Sequence, residues 1–137
     1  MKHIKLAETV IEMLLSGEEE VLYILRKQYE SARVISEKES ETGFYIDYQV
    51  DEKLKLTDNF NCTFQIGDVD GTVDGIDEAV GFLLYIKNGY LIMLEGYTNI
   101  IDKWPERDSQ IKLEYDAKIR DYSILRKKWV NLRTKEE

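Results

Sequence analysis

The chain has 137 residues, of which 43% are apolar, 34% are charged and one is a proline. This length and composition predict a single globular domain over residues 1–137 and exclude a disordered chain. The net charge of −8 argues against nucleic-acid binding, because a polyanion would be repelled overall.

Several features bear on the cellular compartment. No apolar run reaches the roughly 18–20 residues that a membrane helix needs, and Glu8 and Glu12 interrupt any signal-like stretch. The single Cys62 cannot form an internal disulfide. We therefore expect a cytoplasmic protein with no membrane partner.

The N-terminal sequence predicts two helices. Apolar residues recur at helical spacing from Ile4 to Leu15, and Gly17 can end that helix. Ser16 and Glu19 have the spacing of a capping box, which would start the second helix. One apolar stripe follows on that helix: Val21, Leu22, Leu25, Tyr29 and Ala32. The two helices are expected to form a tight αα-hairpin.

From residue 33 onward the pattern becomes that of strands. Val34–Ser36 is rich in β-formers, whereas the charged residues 37–41 are expected to form an exposed connection. Residues 43–50 alternate at period two and predict a strand, and Cys62–Ile66 predicts another. The polar residues 51–59 between them predict a loop.

Residues 67–78 are rich in aspartate and glycine and suggest a calcium loop. An EF-hand loop starting at Asp68 would lack the glycine at position 6 and the glutamate at position 12. A loop starting at Asp70 would also lack that glutamate. The segment is therefore expected to be a turn region, with at most a short strand at Thr72-Val73 and no metal.

The dipeptide Asn88-Gly89 lies between two apolar runs and predicts a type I′ hairpin turn. One-to-one pairing outward from Lys87 and Tyr90 gives two apolar faces. One face has Phe82, Leu84, Ile86, Leu91 and Met93, and the other has Leu83, Tyr85, Tyr90, Ile92 and Leu94. A strand pair that is apolar on both faces is expected to be covered on both sides.

The C-terminal residues 109–133 fit two patterns. Ile111, Leu113 and Tyr115 alternate as in a strand, after which Asp121 can cap a helix. The apolar residues of that helix would be Ile124, Leu125, Trp129 and Leu132. A single helix over 109–133 also has the right periodicity. Strand followed by helix is the preferred interpretation, and both remain open at this point.

Charge is unevenly distributed along the chain. Residues 118–135 contain seven Lys/Arg and one Asp, a local charge of +6, whereas the rest of the chain has −14. A basic C-terminal helix lying on an acidic body explains this distribution, and a basic tail that binds an anionic partner is the alternative.

Residues suited to catalysis are few. His3 is the only histidine and lies near an end that is expected to fray, and Cys62 has no histidine partner in the sequence. Phosphate-binding and zinc motifs are absent from the sequence. No catalytic residue or cofactor is therefore predicted, although Glu95 is a candidate acid or base. The hairpin register sets it opposite Phe82, at the end of an apolar face.

Aromatic residues with polar tips are favoured at protein interfaces. The chain has nine tyrosines and two tryptophans, and four of these residues are close to the hairpin in sequence. The candidate binding residues are Tyr85, Tyr90, Glu95, Tyr97 and Trp104.

Several segments carry a family resemblance: Leu14-Leu15-Ser16-Gly17 followed by Leu22 and Leu25-Arg26-Lys27-Gln28, then Thr42-Gly43-Phe44-Tyr45, Ile66-Gly67-Asp68-Val69, Gly81-Phe82-Leu83-Leu84-Tyr85-Ile86, Gly89-Tyr90-Leu91, Leu94-Glu95-Gly96-Tyr97-Thr98 and Trp104-Pro105-Glu106. Through them the chain resembles a family of small, uncharacterised bacterial α+β proteins. The resemblance implies an α+β fold without an assigned activity and a similarity to toxin–immunity-associated proteins. Residues 100–102 depart from the pattern, since a shorter acidic turn is expected there.

These observations predict an α+β fold: an N-terminal αα-hairpin packed on a mainly antiparallel sheet of about five or six strands, with a C-terminal helix. The expected function is a non-enzymatic, acidic protein-binding module, of which an immunity-type neutraliser of a basic toxin is one form. Its partner would be another protein or a second copy in a homodimer. The alternative is a small hydrolase or ligand-binding protein that uses Glu95 with Asp68 and Asp70, and the class of ligand stays open.

Overall fold

A computed structural model describes residues 2–57 and 63–127 and has the α+β fold expected from the sequence. The helices are α1 (Ile4–Leu14) and α2 (Glu20–Glu30), and residues 122–127 form a third at the C-terminal side. The strands are β1 (Arg33–Ser40), β2 (Gly43–Gln49), β3 (Phe64–Ile66), β4 (Val69–Val73), β5 (Ile76–Lys87), β6 (Tyr90–Thr98) and β7 (Lys112–Tyr115). Among the described residues, none of the helices has the length and apolar character needed to cross a membrane.

The seven strands form one sheet in which every pairing is antiparallel. The order is β1-β2-β6-β5-β4-β7, and β3 also pairs with β5. Strand β5 has 12 residues, so it pairs with β6 along one side and with β4 and then β3 along the other. The hairpin predicted from Asn88-Gly89 therefore lies at the centre of the sheet.

Both N-terminal helices pack on the same side of the sheet. Helix α1 contacts β4 and β5, and α2 contacts β6. Their buried residues meet those of the strands in one core, which includes Leu14, Leu25, Phe44, Ile46, Phe82, Leu84, Leu91 and Leu94. Each such side chain contributes about 1.5–3 kcal/mol when it leaves water. We call this side of the sheet the inner face and the opposite side the open face.

The type I′ turn at Asn88-Gly89 is confirmed. Both residues have positive φ, 51° and 87°, as this turn requires. Asp74 and Gly75 have φ values of 50° and 79° and make a second such turn, between β4 and β5. The segment over 67–78 is thus mostly strand and turn rather than a loop, and its strand is longer than expected.

The predicted hairpin register is wrong beyond the first two pairs. Lys87 lies opposite Tyr90 as predicted, but the pairing then shifts so that Tyr85 lies opposite Met93. Ile92 is the extra residue of this β-bulge. A shift of one residue moves every later side chain of the strand to the other face.

The bulge decides which face holds the candidate glutamate. Leu94 lies on the inner face and is fully buried, whereas Glu95 lies on the open face. Glu95 is opposite Leu83 and not opposite Phe82, as the unbroken register predicted. It therefore lies outside the apolar core.

Two further local predictions are corrected by the structure. The charged residues 37–40 belong to β1, an edge strand, where charge opposes pairing with other chains. The capping box from Ser16 does not form, because α2 begins at Glu20 with Glu19 at its N-cap. The carbonyl of Gly17 instead accepts a hydrogen bond from Arg26 at 2.7 Å.

Strand followed by helix is confirmed for the C-terminal region. After β7, Asp121 Oδ1 accepts a hydrogen bond from the backbone N–H of Ser123 at 2.9 Å, which caps residues 122–127. Leu125 is buried and joins the core on the helix side. The predictions for Cys62, Trp129 and Leu132 fall on positions outside the described residues.

Candidate functional site

Three tyrosines surround one carboxylate on the open face, and we call these four residues the tyrosine–glutamate cluster. The Tyr85 hydroxyl donates a hydrogen bond to Glu95 Oε1 at 2.7 Å. Tyr45 of β2 lies directly opposite Glu95 of β6 and is 40% exposed. Tyr97 is the next open-face residue along β6.

The same carboxylate acts on all three phenols. Burial raises the pKa of Tyr85, and a hydrogen bond to Glu95 and its negative charge raise it further. A hydrogen bond to Glu95 raises the pKa of Tyr45. Burial and the charges of Asp70 and Glu95 raise the pKa of Tyr97. The hydroxyls therefore remain protonated at neutral pH and act as hydrogen-bond donors.

Tyr97 lies across a gap left by glycine on the neighbouring strand. A Cβ at Gly81 would lie 2.5 Å from Tyr97 Cζ, so any larger residue would displace the ring. Gly81 faces Asp70 on β4 in turn. The Tyr97 ring therefore lies on the open face between Glu95 of β6 and Asp70 of β4.

A second carboxylate, Asp70 of β4, lies on the open face next to Gly81 and Tyr97. Burial, together with the negative charges of nearby carboxylates, raises the pKa of its carboxyl to about 6. These neighbours are Asp116, Glu78, Asp68 and Glu114. The Asp70 carboxyl thus changes charge close to neutral pH.

The structure brings together only part of the predicted site. Tyr85, Glu95 and Tyr97 share the open face. Tyr90 lies at the turn end, where its hydroxyl donates to the Glu52 carbonyl at 2.9 Å. Trp104 lies on the inner side, with its ring edge toward the buried rings of Phe44 and Phe82 at centroid distances of 5.2 and 6.1 Å.

Tyr45 is the member that sequence reasoning missed. Its alternating segment was predicted as a strand, but its position beside Glu95 depends on the pairing of β2 with β6. Residues 45 and 95 are far apart in sequence, and no local pattern sets that pairing.

Asp68 has a structural partner. Arg120 Nε lies 2.6 Å from Asp68 Oδ2 and its Nη2 lies 3.2 Å from Oδ1. Arg120 also donates to the carbonyls of Leu14 and Ser16 at the end of α1. Asp68 is thus engaged with Arg120 at the end of α1. The other two candidate carboxylates, Asp70 and Glu95, lie on the open face.

His3 is not at a frayed end, contrary to expectation. It is only 3% exposed, and its ring stacks on Phe44 at a centroid distance of 4.4 Å. Nδ1 lies 2.7 Å from Asp108 Oδ2, and Nε2 lies 3.0 Å from Glu39 Oε1. Partners far along the chain, which the sequence does not identify, hold this terminus in place.

The same histidine belongs to a group that could hold a cation. Ligand atoms of His3, Glu37 and Glu39 lie within 4.8 Å of one another. The Glu37 carboxylate accepts hydrogen bonds from the backbone N–H groups of Lys2 and His3 at 3.1 and 2.8 Å. Because protein groups already pair with each side chain, we interpret the group as an ion-pair network.

Comparisons with protein-family models, with curated proteins and with solved structures found no match.

Proposed function

We propose that the protein is a non-enzymatic, acidic binding module that recognises a basic protein in the cytoplasm through its open face. The observation that carries this proposal is the tyrosine–glutamate cluster on the side of the sheet opposite α1 and α2. Neutralisation of a basic toxin, as by an immunity protein, is the specific form that we favour because of the sequence resemblance described above.

The side chains of the open face suit protein recognition. Tyrosine and methionine are enriched at interfaces, and Leu83 and Met93 lie beside the tyrosines. The hydrogen bond to Glu95 restricts Tyr85 before any partner arrives. Rings that are already ordered lose less conformational entropy on binding.

Charge supports the choice of a basic partner. The net charge of −8 speeds encounter with a cationic protein. On the open face, burial and the neighbouring carboxylates together raise the pKa of Asp70 to about 6. A cationic group placed beside Asp70 would relieve that repulsion and favour the ionised form.

One observation favours the alternative of a small hydrolase. A carboxyl with a pKa near 6 is suited to proton transfer near neutral pH, and Asp70 has one. In that case Asp70→Asn would abolish turnover of a substrate. For a binding module, the same change would only weaken association.

Photo-crosslinking tests the main proposal. A benzophenone amino acid is placed at Tyr45 on the open face, or at Tyr23, which is 51% exposed on α2. We expect position 45 to give a discrete crosslinked product in cells, with a partner of basic isoelectric point, and position 23 to give none. An acidic partner, equal products at both positions, or products from position 23 alone would contradict the proposal.

A further inference from the structure

A cleft of about 670 Å³ opens between α1, α2 and the start of β1. Pockets of this volume hold small molecules. Its partly exposed apolar wall includes Ile4, Ala32 and Val34. The cleft lies on the helix side of the sheet and is separate from the tyrosine–glutamate cluster.

Two tyrosines form the polar part of the wall. The rings of Tyr29 and Tyr48 meet edge to face at a centroid distance of 5.8 Å. Burial, together with the charges of Glu8 and Glu12, raises the pKa of Tyr29 to about 12. The two carboxylates therefore lie close enough to the phenols to influence them.

The cleft has an excess of negative charge. Glu8, Glu12 and Glu30 line it together with one cation, Arg26. The Arg26 guanidinium is engaged with the carbonyls of Leu15 and Gly17 at 2.5 and 2.7 Å. Within residues 2–57 and 63–127, neither Glu8 nor Glu12 forms an ion pair, and both are exposed on α1.

We propose that this cleft binds a small organic ammonium ion with an apolar body, such as an aliphatic amine. The ammonium group would lie between Glu8 and Glu12 and beside the aromatic rings, where Coulomb attraction and cation–π contact both favour it. The hydrocarbon would contact Ile4, Ala32 and Val34. Organic anions of the same size would be repelled.

Calorimetric titration with three molecules of equal length tests the charge requirement. The probes are 1,8-diaminooctane, octane-1,8-diol and octanedioate. We expect the diamine to bind with a Kd below 1 mM, at least tenfold more tightly than the diol, and octanedioate to give no binding heat. A diol that binds as tightly as the diamine, binding of octanedioate, or the absence of diamine binding would overturn the proposal.

A pair of double variants tests the location. Glu8→Gln with Glu12→Gln removes two charges from the cleft, whereas Glu18→Gln with Glu20→Gln removes two exposed charges elsewhere. We expect the first pair to weaken diamine binding at least tenfold and the second to change it less than twofold. Equal losses of affinity in the two double variants would mean that the diamine responds only to the net charge of the protein. That result would contradict a binding site in the cleft.

Methyl chemical shifts provide a measurement that needs no variant. Addition of 1,8-diaminooctane to the wild-type protein should shift the methyl resonances of Ile4 and Val34 and leave that of Met93 on the open face unchanged. Shifts at Met93 without shifts at Ile4 and Val34 would place the amine on the open face and overturn the assignment.

Discussion

Gln28 lies fully buried on α2 and uses its whole amide group to hold the central hairpin. Its Nε2 donates to the carbonyls of Leu54 and Gly89 at 2.9 and 2.8 Å, and its Oε1 accepts from the Leu91 N–H at 2.8 Å. A buried polar group that loses its partner costs about 1–3 kcal/mol. This one side chain therefore joins α2 to the turn and to the segment after β2.

We expect Gln28→Leu to lower the free energy of unfolding by about 2–4 kcal/mol, because the Leu54 carbonyl and the Leu91 N–H lose their partner and the Gly89 carbonyl keeps only the Leu56 N–H. Urea denaturation measures the change. The matched control is Gln49→Leu, since Gln49 is exposed and pairs with Arg33 at the surface, and it should cost less than about 0.5 kcal/mol. Similar losses for the two variants would show that the buried network contributes little.

Asp70 should make stability depend on pH. Its folded pKa of about 6 exceeds the ordinary value of 3.8, so the folded state binds the proton more tightly than the unfolded state does. Ionised Asp70 is therefore destabilising above pH 6, and this effect disappears as pH falls toward 4. We expect Asp70→Asn to stabilise the protein by about 1 kcal/mol at pH 8, after allowance for solvent screening, and by almost nothing at pH 4.

Thermal unfolding at both pH values measures this difference. Asp74→Asn is the control, because asparagine suits the same position of a type I′ turn. A gain for Asp70→Asn that is equal at pH 4 and pH 8 would exclude the ionisation of Asp70 as its cause.

At the scale of the elements, the two type I′ turns allow a matched comparison. Gly75 and Gly89 both have positive φ, 79° and 87°. A Cβ at Gly75 would meet nothing within 4 Å, whereas a Cβ at Gly89 would lie 2.6 Å from the Leu56 carbonyl oxygen. The two turns therefore share the backbone requirement and differ in their packing.

We expect Gly75→Ala to lower the free energy of unfolding by about 1 kcal/mol, which is the penalty for alanine in the left-handed backbone conformation. Gly89→Ala should cost at least about 2 kcal/mol more, because the chain at Leu56 must also move. Chemical denaturation of both variants gives the two values. Equal losses of unfolding free energy in the two variants would mean that the segment at Leu56 moves away from the new methyl group at no energetic cost.

The central turn, both N-terminal helices and the final strand could be predicted because local residue patterns specify them. The bulge at Ile92 could not be predicted, because it depends on how β6 packs against the inner core rather than on the residue pattern of β6 itself. Strand β1 was predicted too short, since charges at an edge look like a loop in sequence. The position of Tyr45 beside Glu95 depends on pairing between distant strands, which one sequence does not specify.

For the whole molecule, the described part of the C-terminal helix lies beside the connection between α1 and α2. Tyr122 and Leu125 line a small cavity there with Ser16 and Leu22. Within the part of the chain that the structure describes, this helix therefore lies on the helix side and does not cover the open face.

If the partner is a second copy of the chain, light scattering should show the molar mass rising from that of a monomer to that of a dimer as the protein concentration increases. Tyr45→Glu should then favour the monomer, because it places a second carboxylate opposite Glu95 in the contact. Tyr23→Glu on α2 is the control and should leave association unchanged. A monomer at high micromolar concentration would exclude the homodimer and leave a foreign partner.

Both ends of α1 depend on residues made late in synthesis. His3 precedes the helix and pairs with Asp108, 105 residues away, while Arg120 binds the carbonyl of Leu14, 106 residues away. As the chain leaves the ribosome, the two ends of α1 are therefore not fixed until their partners, 105 and 106 positions further along, have emerged. We expect nascent chains stalled before Arg120 emerges to be cut by protease within α1, and full-length released chains to resist. Early protection of α1 in the stalled chains would show that the helix is secured without these distant partners.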